Sequence, residues 1–251
     1  MSQEEAIKLD KAKSEFISIA SHQLRTPLTA VKGYVSMLLE GSYGKVDPKQ
    51  YEILKGVYAS NERMANLVEE LLDIPRIELN KMDFTFASEK LEAICQEVVD
   101  TFTSKAKDKG LYLEYKKPKT TLPELIVDGV KVRKVISDIV DNALRYTTKG
   151  GVTVKLEQME KNIRITISDT GIGVAPEETP KLFQKISRGK GTSLFNPDGL
   201  GLNLYVDRLI IGKNGGRILV ESEGKDRGAQ FIVELPIETP KEILEQTADK
   251  K

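Results

Sequence analysis

The sequence contains a single histidine, His22, and the residues around it favour chemistry at that position. It lies in residues 21–28, Ser-His-Gln-Leu-Arg-Thr-Pro-Leu, within a segment of helical periodicity. Pro27 cannot donate a backbone hydrogen bond to the carbonyl of Gln23, so we expect the helix to bend or loosen beside the histidine. Thr26 shares a helix face with His22, where its hydroxyl can hold water or a phosphoryl oxygen near the imidazole. The alternative is a lone surface histidine next to a structural kink.

Polar side chains also converge on a helix that we predict at residues 130–146. The residues concerned are Asp138, Asp141, Asn142, Arg145 and Tyr146. All except Asp141 lie on one face of the helix. An asparagine oxygen among phosphates is a good ligand for Mg²⁺, which prefers oxygen donors and keeps several waters. The alternative is an ordinary solvated helix face, and the spacing alone does not decide between the two.

Two glycine-containing turns lie in the second half of the chain. Residues 169–173, Asp-Thr-Gly-Ile-Gly, follow a predicted strand, where a carboxylate can accept a hydrogen bond from an adenine amino group and the glycines let the backbone turn closely around a base. Residues 198–202, Asp-Gly-Leu-Gly-Leu, open a predicted helix, whose backbone N–H groups form an anion site. Arg188 and Lys190 add positive charge to the long segment at 171–199, which we expect to be a functional lid or a disordered loop. Each turn taken singly is weak evidence, because strand-to-loop turns often contain Asp and Gly.

The composition excludes several functional classes. The 251 residues include 38 Lys plus Arg and 38 Asp plus Glu, so no global basic field favours binding to nucleic acid or to a membrane surface. With Cys95 the only cysteine and His22 the only histidine, a disulfide framework, a Cys/His zinc site and a Ser-His-Asp triad centred elsewhere are excluded. We find no apolar run long enough to span a membrane and no signal sequence, so we expect a cytoplasmic segment without membrane contact of its own.

The first of two regions that must position these residues is helical. It extends to about residue 80, and a turn at residues 41–48 separates two long helices. Spacings of three and four, typical of a bundle helix, connect residues in the second helix at Leu54, Val57, Asn61, Met64, Val68 and Leu71. The first helix has the same spacing at Leu9, Ala12, Phe16 and Ile19. The mostly apolar stripe that these residues form on each helix is wider than a two-helix hairpin can cover, so we expect a homodimer that completes a four-helix bundle. The alternative is a monomer in which the hairpin docks on its own second domain.

In the second region strands alternate with helices. We predict strands at residues 83–86, 111–116, 124–127, 152–158, 163–169, 217–222 and 229–235. We predict helices at residues 89–109, 130–146 and 201–214. The domains are therefore expected at 1–81 and 82–238, followed by a frayed tail or short exposed helix at 239–251.

Residues 16–28 resemble the H-box of sensor histidine kinases, whose usual pattern is Ser-His-acid-Leu-Arg-Thr-Pro-Leu. The resemblance implies that His22 is the phosphoacceptor and that Gln23, Arg25 and Thr26 belong to its catalytic surroundings. Gln23 departs from the pattern, because an amide can orient the imidazole ring but cannot take up its proton as a carboxylate can. In the family, the residues that match Gln23 and Thr26 also support dephosphorylation of the partner, so phosphatase activity is implied as well.

The polar helix and the two glycine turns, in this order, resemble the N-, G1-, F- and G2-boxes of the ATP-binding domain that histidine kinases share with DNA gyrase and Hsp90. The resemblance implies a fold of class α+β: a two-helix hairpin forming a dimeric four-helix bundle, then an α/β sandwich of a mixed sheet against three helices. It implies ATP and Mg²⁺ as ligands, with Asn142 and Asp138 holding the metal and Asp169 binding adenine. The other nucleotide-binding positions that it implies are Arg145, Tyr146, Gly171, Gly173, Arg188, Lys190, Gly199, Gly201 and Leu202.

Spanning residues 16–235, the resemblance implies a kinase core that autophosphorylates His22 from ATP and passes the phosphoryl group to an aspartate of a response-regulator receiver domain. It leaves the stimulus open, and it fits the cytoplasmic part of a membrane-bound sensor as well as a protein whose sensing resides in a partner. One alternative is a nucleotide-binding scaffold or phosphatase-dominant homologue, which Gln23, Asp138 and Asn203 motivate. Another is an ATPase that hydrolyses ATP for mechanical work, against which the helical hairpin with its H-box argues.

Overall fold

The computed structural model describes residues 3–79, 82–184, 202–240 and 243. The chain forms two compact units, Met1–Met82 and Asp83–Lys251. Within the described residues, no helix combines the length and the apolar character needed to cross a membrane.

The first unit is a hairpin of two long helices, α1 (Gln3–Leu39) and α2 (Pro48–Glu78). The turn predicted between them is confirmed, and it is terminated by a capping box. The Asp47 carboxylate accepts hydrogen bonds from the backbone N–H groups of Lys49 and Gln50 at 2.8 and 3.0 Å, and the Gln50 side chain accepts one from the Asp47 N–H at 3.2 Å. Pro48 occupies the first helical position, where its missing N–H costs nothing.

The residues predicted at spacings of three and four on α2, here called the seam, do not all lie on one buried face of the helix. Asn61 is buried, at 6% exposure, and its amide nitrogen donates to the carbonyl of Leu28 on α1 at 2.9 Å. Val57 and Met64, predicted in the same seam, are 43% and 52% exposed. The hairpin therefore covers only part of the stripe, because a single neighbouring helix shields one side of α2.

The described residues of the second unit form five strands in one sheet, two strands in another, and three α-helices. Its strands are β1 (Ala87–Glu89), β2 (Tyr112–Lys116), β3 (Leu125–Val127), β4 (Gly151–Gln158), β5 (Asn162–Asp169), β6 (Arg217–Glu221) and β7 (Gln230–Pro236). Its helices are α3 (Leu91–Asp108), α4 (Gly129–Tyr146) and α5 (Asn203–Lys213), with a short 3₁₀ turn at Thr179–Lys181. The larger sheet has the order β2-β4-β5-β7-β6, in which β2 pairs with β4 in parallel and every other pair is antiparallel.

The core of this unit lies between the sheet and the three helices. Alternate residues of β5, namely Ile163, Ile165 and Ile167, are fully buried, as period-two alternation predicts for one covered face. The predicted α/β sandwich of a mixed sheet against three helices is confirmed. All but one of its predicted elements lie within two residues of the observed bounds.

The strand predicted at residues 83–86 is wrong. The strand is β1, which begins at Ala87 and pairs with β3 in a separate two-stranded sheet. Before it, the backbone N–H of Thr85 donates to the Asp128 carboxylate at 2.9 Å, and the rings of Phe84 and Phe86 stack at 5.9 Å between centroids. Asp128 also caps α4 by accepting from the Lys131 N–H at 3.0 Å. The segment is thus held by a side chain instead of a strand ladder.

Of the segment predicted at 239–251 as a frayed tail or short exposed helix, the structure describes residues 239, 240 and 243, and residue 243 is helical. Ile243 is only 3% exposed. The N–H of Ile237 donates to the Lys161 carbonyl at 2.9 Å, which extends the β5–β7 connection past the end of β7. Residues 241, 242 and 244–251 lie outside the described part of the chain.

Glu234 on β7 is a charged side chain buried in the sheet, at 3% exposure. Its carboxylate accepts from Arg164 at 2.6 and 2.9 Å and from Arg217 at 2.6 Å, since these residues stand opposite it on β5 and β6. Burial acts to raise the pKa of Glu234, but the hydrogen bonds and charges of Arg217 and Arg164 outweigh it and hold the pKa below its ordinary value.

Replacing Glu234 with glutamine should lower the free energy of unfolding at neutral pH by about 2 kcal/mol, because two guanidinium groups lose their shared carboxylate. The folded-state pKa is depressed, so the contribution is complete above the unfolded-state pKa and is lost as the pH falls through the folded-state value. Urea titrations at decreasing pH should show the difference between variant and parent shrinking. Glu221→Gln, which alters an exposed carboxylate on β6, is the control and should change stability by less than about 0.5 kcal/mol. A difference that persists unchanged in acid would contradict this account.

Candidate active site

His22 lies in the middle of α1, and the helix continues through Pro27 to Leu39. The His22 side chain is outside the described residues, whereas those of Gln23, Arg25 and Thr26 are exposed. The segment predicted to carry the chemistry therefore presents its polar groups on the surface of the hairpin.

Arg25 is held by an ion pair that joins the two helices. Its guanidinium donates to both carboxylate oxygens of Glu69 on α2, at 3.0 and 2.8 Å. Arg76 donates to the same carboxylate at 3.0 Å. Burial acts to raise the pKa of Glu69, but the bonds from Arg25 and Arg76 outweigh it and lower the pKa. Arg25 thus links α1 to α2 near the histidine, a contact that the spacing of residues along α1 does not predict.

The oxygen donors predicted for a metal ion lie one helical turn apart on α4. Asp138 and Asn142 are both half-buried. Lys134 donates to one oxygen of Asp138 at 2.6 Å and so compensates its charge. Within the described part of the chain no side chain or backbone group bonds to the Asn142 amide, and no group of three or more His, Cys, Asp and Glu side chains is placed to hold a metal.

Arg145, one turn further along α4, donates to Asp141 at 2.6 Å. The other oxygen of Asp141 accepts from Lys105 on α3. Burial acts to raise the pKa of Asp141, and the bonds and charges of Lys105 and Arg145 outweigh it, so the pKa lies below its ordinary value. The residue expected at the phosphates is therefore part of a three-membered charge cluster.

Asp169, the last residue of β5, has one oxygen fixed and one available. Its Oδ1 accepts backbone N–H groups of Gly171 at 2.8 Å and Ala229 at 3.3 Å. Burial raises the pKa of Asp169, and those two N–H groups partly oppose the increase. Among the described residues none donates to Oδ2. The side chain is thus oriented by the backbone, with a free acceptor, as recognition of an amino group requires.

The glycines after Asp169 allow close backbone approach. A Cβ at Gly171 would lie 2.5 Å from the Tyr146 carbonyl, and Gly173 has φ +68 with a Cβ position 2.1 Å from the Gly224 carbonyl. The carbonyl of Tyr146 accepts the N–H of Ile172 at 3.2 Å, so the end of α4 braces the turn that carries Asp169. The structure in this way places Tyr146 against the turn that contains Gly171 and Gly173.

Four predicted ligand residues, Arg188, Lys190, Gly199 and Gly201, lie outside the described residues. Leu202, which precedes α5, is 2% exposed, so its side chain packs in the interior.

Two family models match the chain side by side. Residues 12–80 match the His Kinase A (phospho-acceptor) domain, and residues 127–239 match the histidine kinase-, DNA gyrase B-, and HSP90-like ATPase. The first contains His22 and the second contains the Asp169 turn. The chain belongs to the histidine kinase family.

Several known proteins align with most of this chain. Sensor protein SrrB of Staphylococcus aureus (strain N315) is 29% identical over 229 residues, which cover 91% of this chain and 39% of SrrB. The full-length structure of ShkA in complex with AMPPNP matches with a TM-score of 0.76 and 25% identity, covering 90% of this chain and 46% of ShkA. A histidine kinase ThkA in complex with response regulator protein TrrA shares the fold, with a TM-score of 0.60 and 19% identity over 94% of this chain and 66% of ThkA. The chain spans 26–39% of the length of the curated relatives.

The turn that carries Asp169 is bonded to a segment that the sequence analysis missed, the β6–β7 connection at residues 222–229. The N–H of Gly228 donates to the Gly171 carbonyl at 3.0 Å, and that of Asp226 to the Ile172 carbonyl at 2.7 Å. Ser222 accepts from the N–H of Val174 at 3.0 Å. The glycines at 224 and 228 between two predicted strands were a signal of a tight turn, but strand order was needed to place that turn beside Asp169.

Proposed function

We propose that this chain uses ATP to phosphorylate His22 and transfers the phosphoryl group to an aspartate of a response regulator. The observation that carries the proposal is Asp169: two backbone N–H groups bind its Oδ1, and no described residue donates to its Oδ2, the oxygen proposed to accept the adenine amino group. It stands in a chain that also has the phosphoacceptor-type hairpin. The neighbours support the same function: ShkA binds a nucleotide analogue, and ThkA binds a response regulator.

In the first step a ring nitrogen of His22 attacks the γ-phosphorus, an N–P bond forms, and the bond from that phosphorus to the bridging oxygen breaks. ADP leaves with the electron pair. The displaced ring proton goes to water or another base, because the amide of Gln23 does not accept it. Arg145 stabilises the charge spread over the phosphate oxygens. In the second step an aspartate oxygen of the regulator attacks phosphorus, the N–P bond breaks, and the imidazole is regenerated.

The residues on α4 fit a magnesium ion. Asp138 and Asn142 supply two oxygen donors one turn apart, and the Asn142 amide has no competing partner among the described residues. Mg²⁺ is usually held by one or two protein oxygens together with phosphates and water. When bound it would neutralise phosphate charge. Lys134 would offset the negative charge that Asp138 adds to the site.

The kinase core acts as a homodimer through the hairpin. Ile53, Val57 and Met64 lie within about 40° of one another around α2 and are 67%, 43% and 52% exposed. Such a stripe on one hairpin is covered when a second copy completes a four-helix bundle.

Glutamates in place of both Val57 and Met64 should convert the dimer to a monomer, because burying two carboxylates in the apolar seam costs several kcal/mol. Sedimentation velocity measures the change. Ala59→Glu, an exposed position about 140° away around α2, is the control and should leave the dimer intact. A double variant that remains dimeric would place the interface on another surface.

Incubation of the chain with γ-labelled ATP and Mg²⁺ tests the proposed function. We expect a label on the protein that is acid-labile and alkali-stable and that passes to an added receiver domain. Because His22 is the only histidine, such a label needs no mapping.

A second candidate function, dephosphorylation of the phosphorylated regulator, is favoured by Gln23. Its amide is exposed beside Thr26 and can position a water molecule by hydrogen bonding, although it is a poor substitute for a carboxylate base. ATP binding without a histidine label, together with loss of phosphate from a phosphorylated receiver domain, would contradict the kinase proposal and support this one.

A further inference from the structure

The charge cluster of Lys105, Asp141 and Arg145 has a net charge of one positive unit, counting two cations and one carboxylate. Asp141 is the shared member: one oxygen is bonded to Lys105 and the other to Arg145. Its side chain is 20% exposed, against 47% for Lys105 and 33% for Arg145. The carboxylate therefore lies between two cations that are both open to solvent.

Arg145 is a cation of the predicted phosphate region and lies one turn from Asn142 on α4. Asp141 contacts it through a single guanidinium nitrogen, and no other acceptor in the described part of the chain bonds to that group. A guanidinium has five N–H donors, so most remain available to an anion. If Asp141 were the only charged neighbour of Arg145, however, the Asp141–Arg145 pair would be neutral and would attract phosphate weakly.

Lys105, on the neighbouring helix, adds a positive charge to the neutral pair of Asp141 and Arg145. It lies on α3, which is tied to the last turns of α4 by a second lysine: Lys109 donates to the carbonyl of Leu144 at 3.0 Å. The Lys105 ammonium is itself bonded to Asp141, and its Nζ lies 5.8 Å from the centroid of the Phe102 ring. The Lys105 ammonium is thus held by the Asp141 carboxylate.

We propose that Lys105 is a positioning residue for nucleotide phosphate: it neutralises Asp141, so that Arg145 keeps both its position and its positive charge for the phosphates of ATP. This inference rests on the proposed function, because it concerns the nucleotide of that site. It differs from a purely structural role in one respect. A structural lysine would affect every ligand of the pocket, whereas a lysine that acts through Arg145 affects only ligands with phosphate.

The test is calorimetric titration of the full chain with adenosine, ADP and ATP, with Mg²⁺ present, for the parent and for Lys105→Met. We expect Kd for ADP and ATP to rise about fivefold, the factor that corresponds to a partly exposed ion pair, and Kd for adenosine to change less than twofold. Lys107→Met, an exposed lysine of the same helix, is the matched control and should leave all three values within twofold.

A second pair of variants tests the route through Asp141. When Asp141 is replaced by asparagine, Lys105 has no carboxylate to neutralise, so adding Lys105→Met should change the ADP affinity less than twofold. Equal weakening of adenosine and ADP, or an undiminished effect of Lys105→Met in the Asp141→Asn background, would overturn the inference. Failure of the parent chain to bind ADP or ATP would overturn the proposed function along with it.

Discussion

Replacing His22 with alanine is expected to remove all acid-labile phosphate from the chain, a loss of at least about a thousandfold in labelling rate. The imidazole is the proposed nucleophile, and the sequence has no second histidine to substitute for it. The measurement is the time course of label from γ-labelled ATP, followed by acid and alkali treatment of the denatured protein. Backbone hydrogen bonds around position 22 are those of a continuous helix, so the variant should keep its fold.

The control for this variant is nucleotide binding. The second unit has its own core, so Kd for ADP should be the same in His22→Ala and the parent. Acid-labile label that persists in the variant would show that another residue accepts the phosphoryl group. Loss of both label and ADP binding would mean that the substitution had damaged the protein, and His22→Gln, which preserves side-chain bulk, would then be measured in its place.

Replacing Asp169 with asparagine is expected to raise Kd for ATP by about a hundredfold. Backbone N–H groups of Gly171 and Ala229 point at Oδ1, so an amide at this position places its oxygen there and turns its NH₂ group toward the ligand. Two donors, this NH₂ and the adenine amino group, then face each other, and a hydrogen bond to a charged acceptor is lost as well. Fluorescence or calorimetric titration with ATP measures the loss.

The same geometry predicts a change of base preference. Inosine triphosphate carries a carbonyl oxygen where ATP carries the amino group, so the amide of Asp169→Asn can donate to it. The variant should lose the parent's preference for ATP over ITP, whereas a variant that merely loosens the pocket should bind both nucleotides more weakly in the same proportion. An unchanged ratio of the two Kd values would contradict the role proposed for Asp169.

Local patterns in the sequence were sufficient for most of the fold. The isoleucines of β5 alternate with polar residues, and period-two alternation specifies a strand with one covered face whatever the rest of the chain does. The turn after α1 likewise contains Gly, Pro and a capping Asp within a few residues. Where a feature depended on distant residues, the prediction failed: residues 83–86 have the composition of a strand, but Asp128 binds their backbone from more than 40 positions away.

The candidate site divides in the same way. The sequence was enough to single out His22, Asn142 and Asp169, because each stands in a motif whose spacing places it on a helix face or at a strand end. Only the tertiary structure revealed the contacts that control such groups: Asp169 is oriented by Ala229 from the β6–β7 connection, and Asp141 is neutralised by Lys105 from α3. These partners lie 60 and 36 residues away in the chain. Periodicity carries information about neighbours within a helix or strand, whereas which strands pair, and which helices pack together, is decided by burial of the whole core.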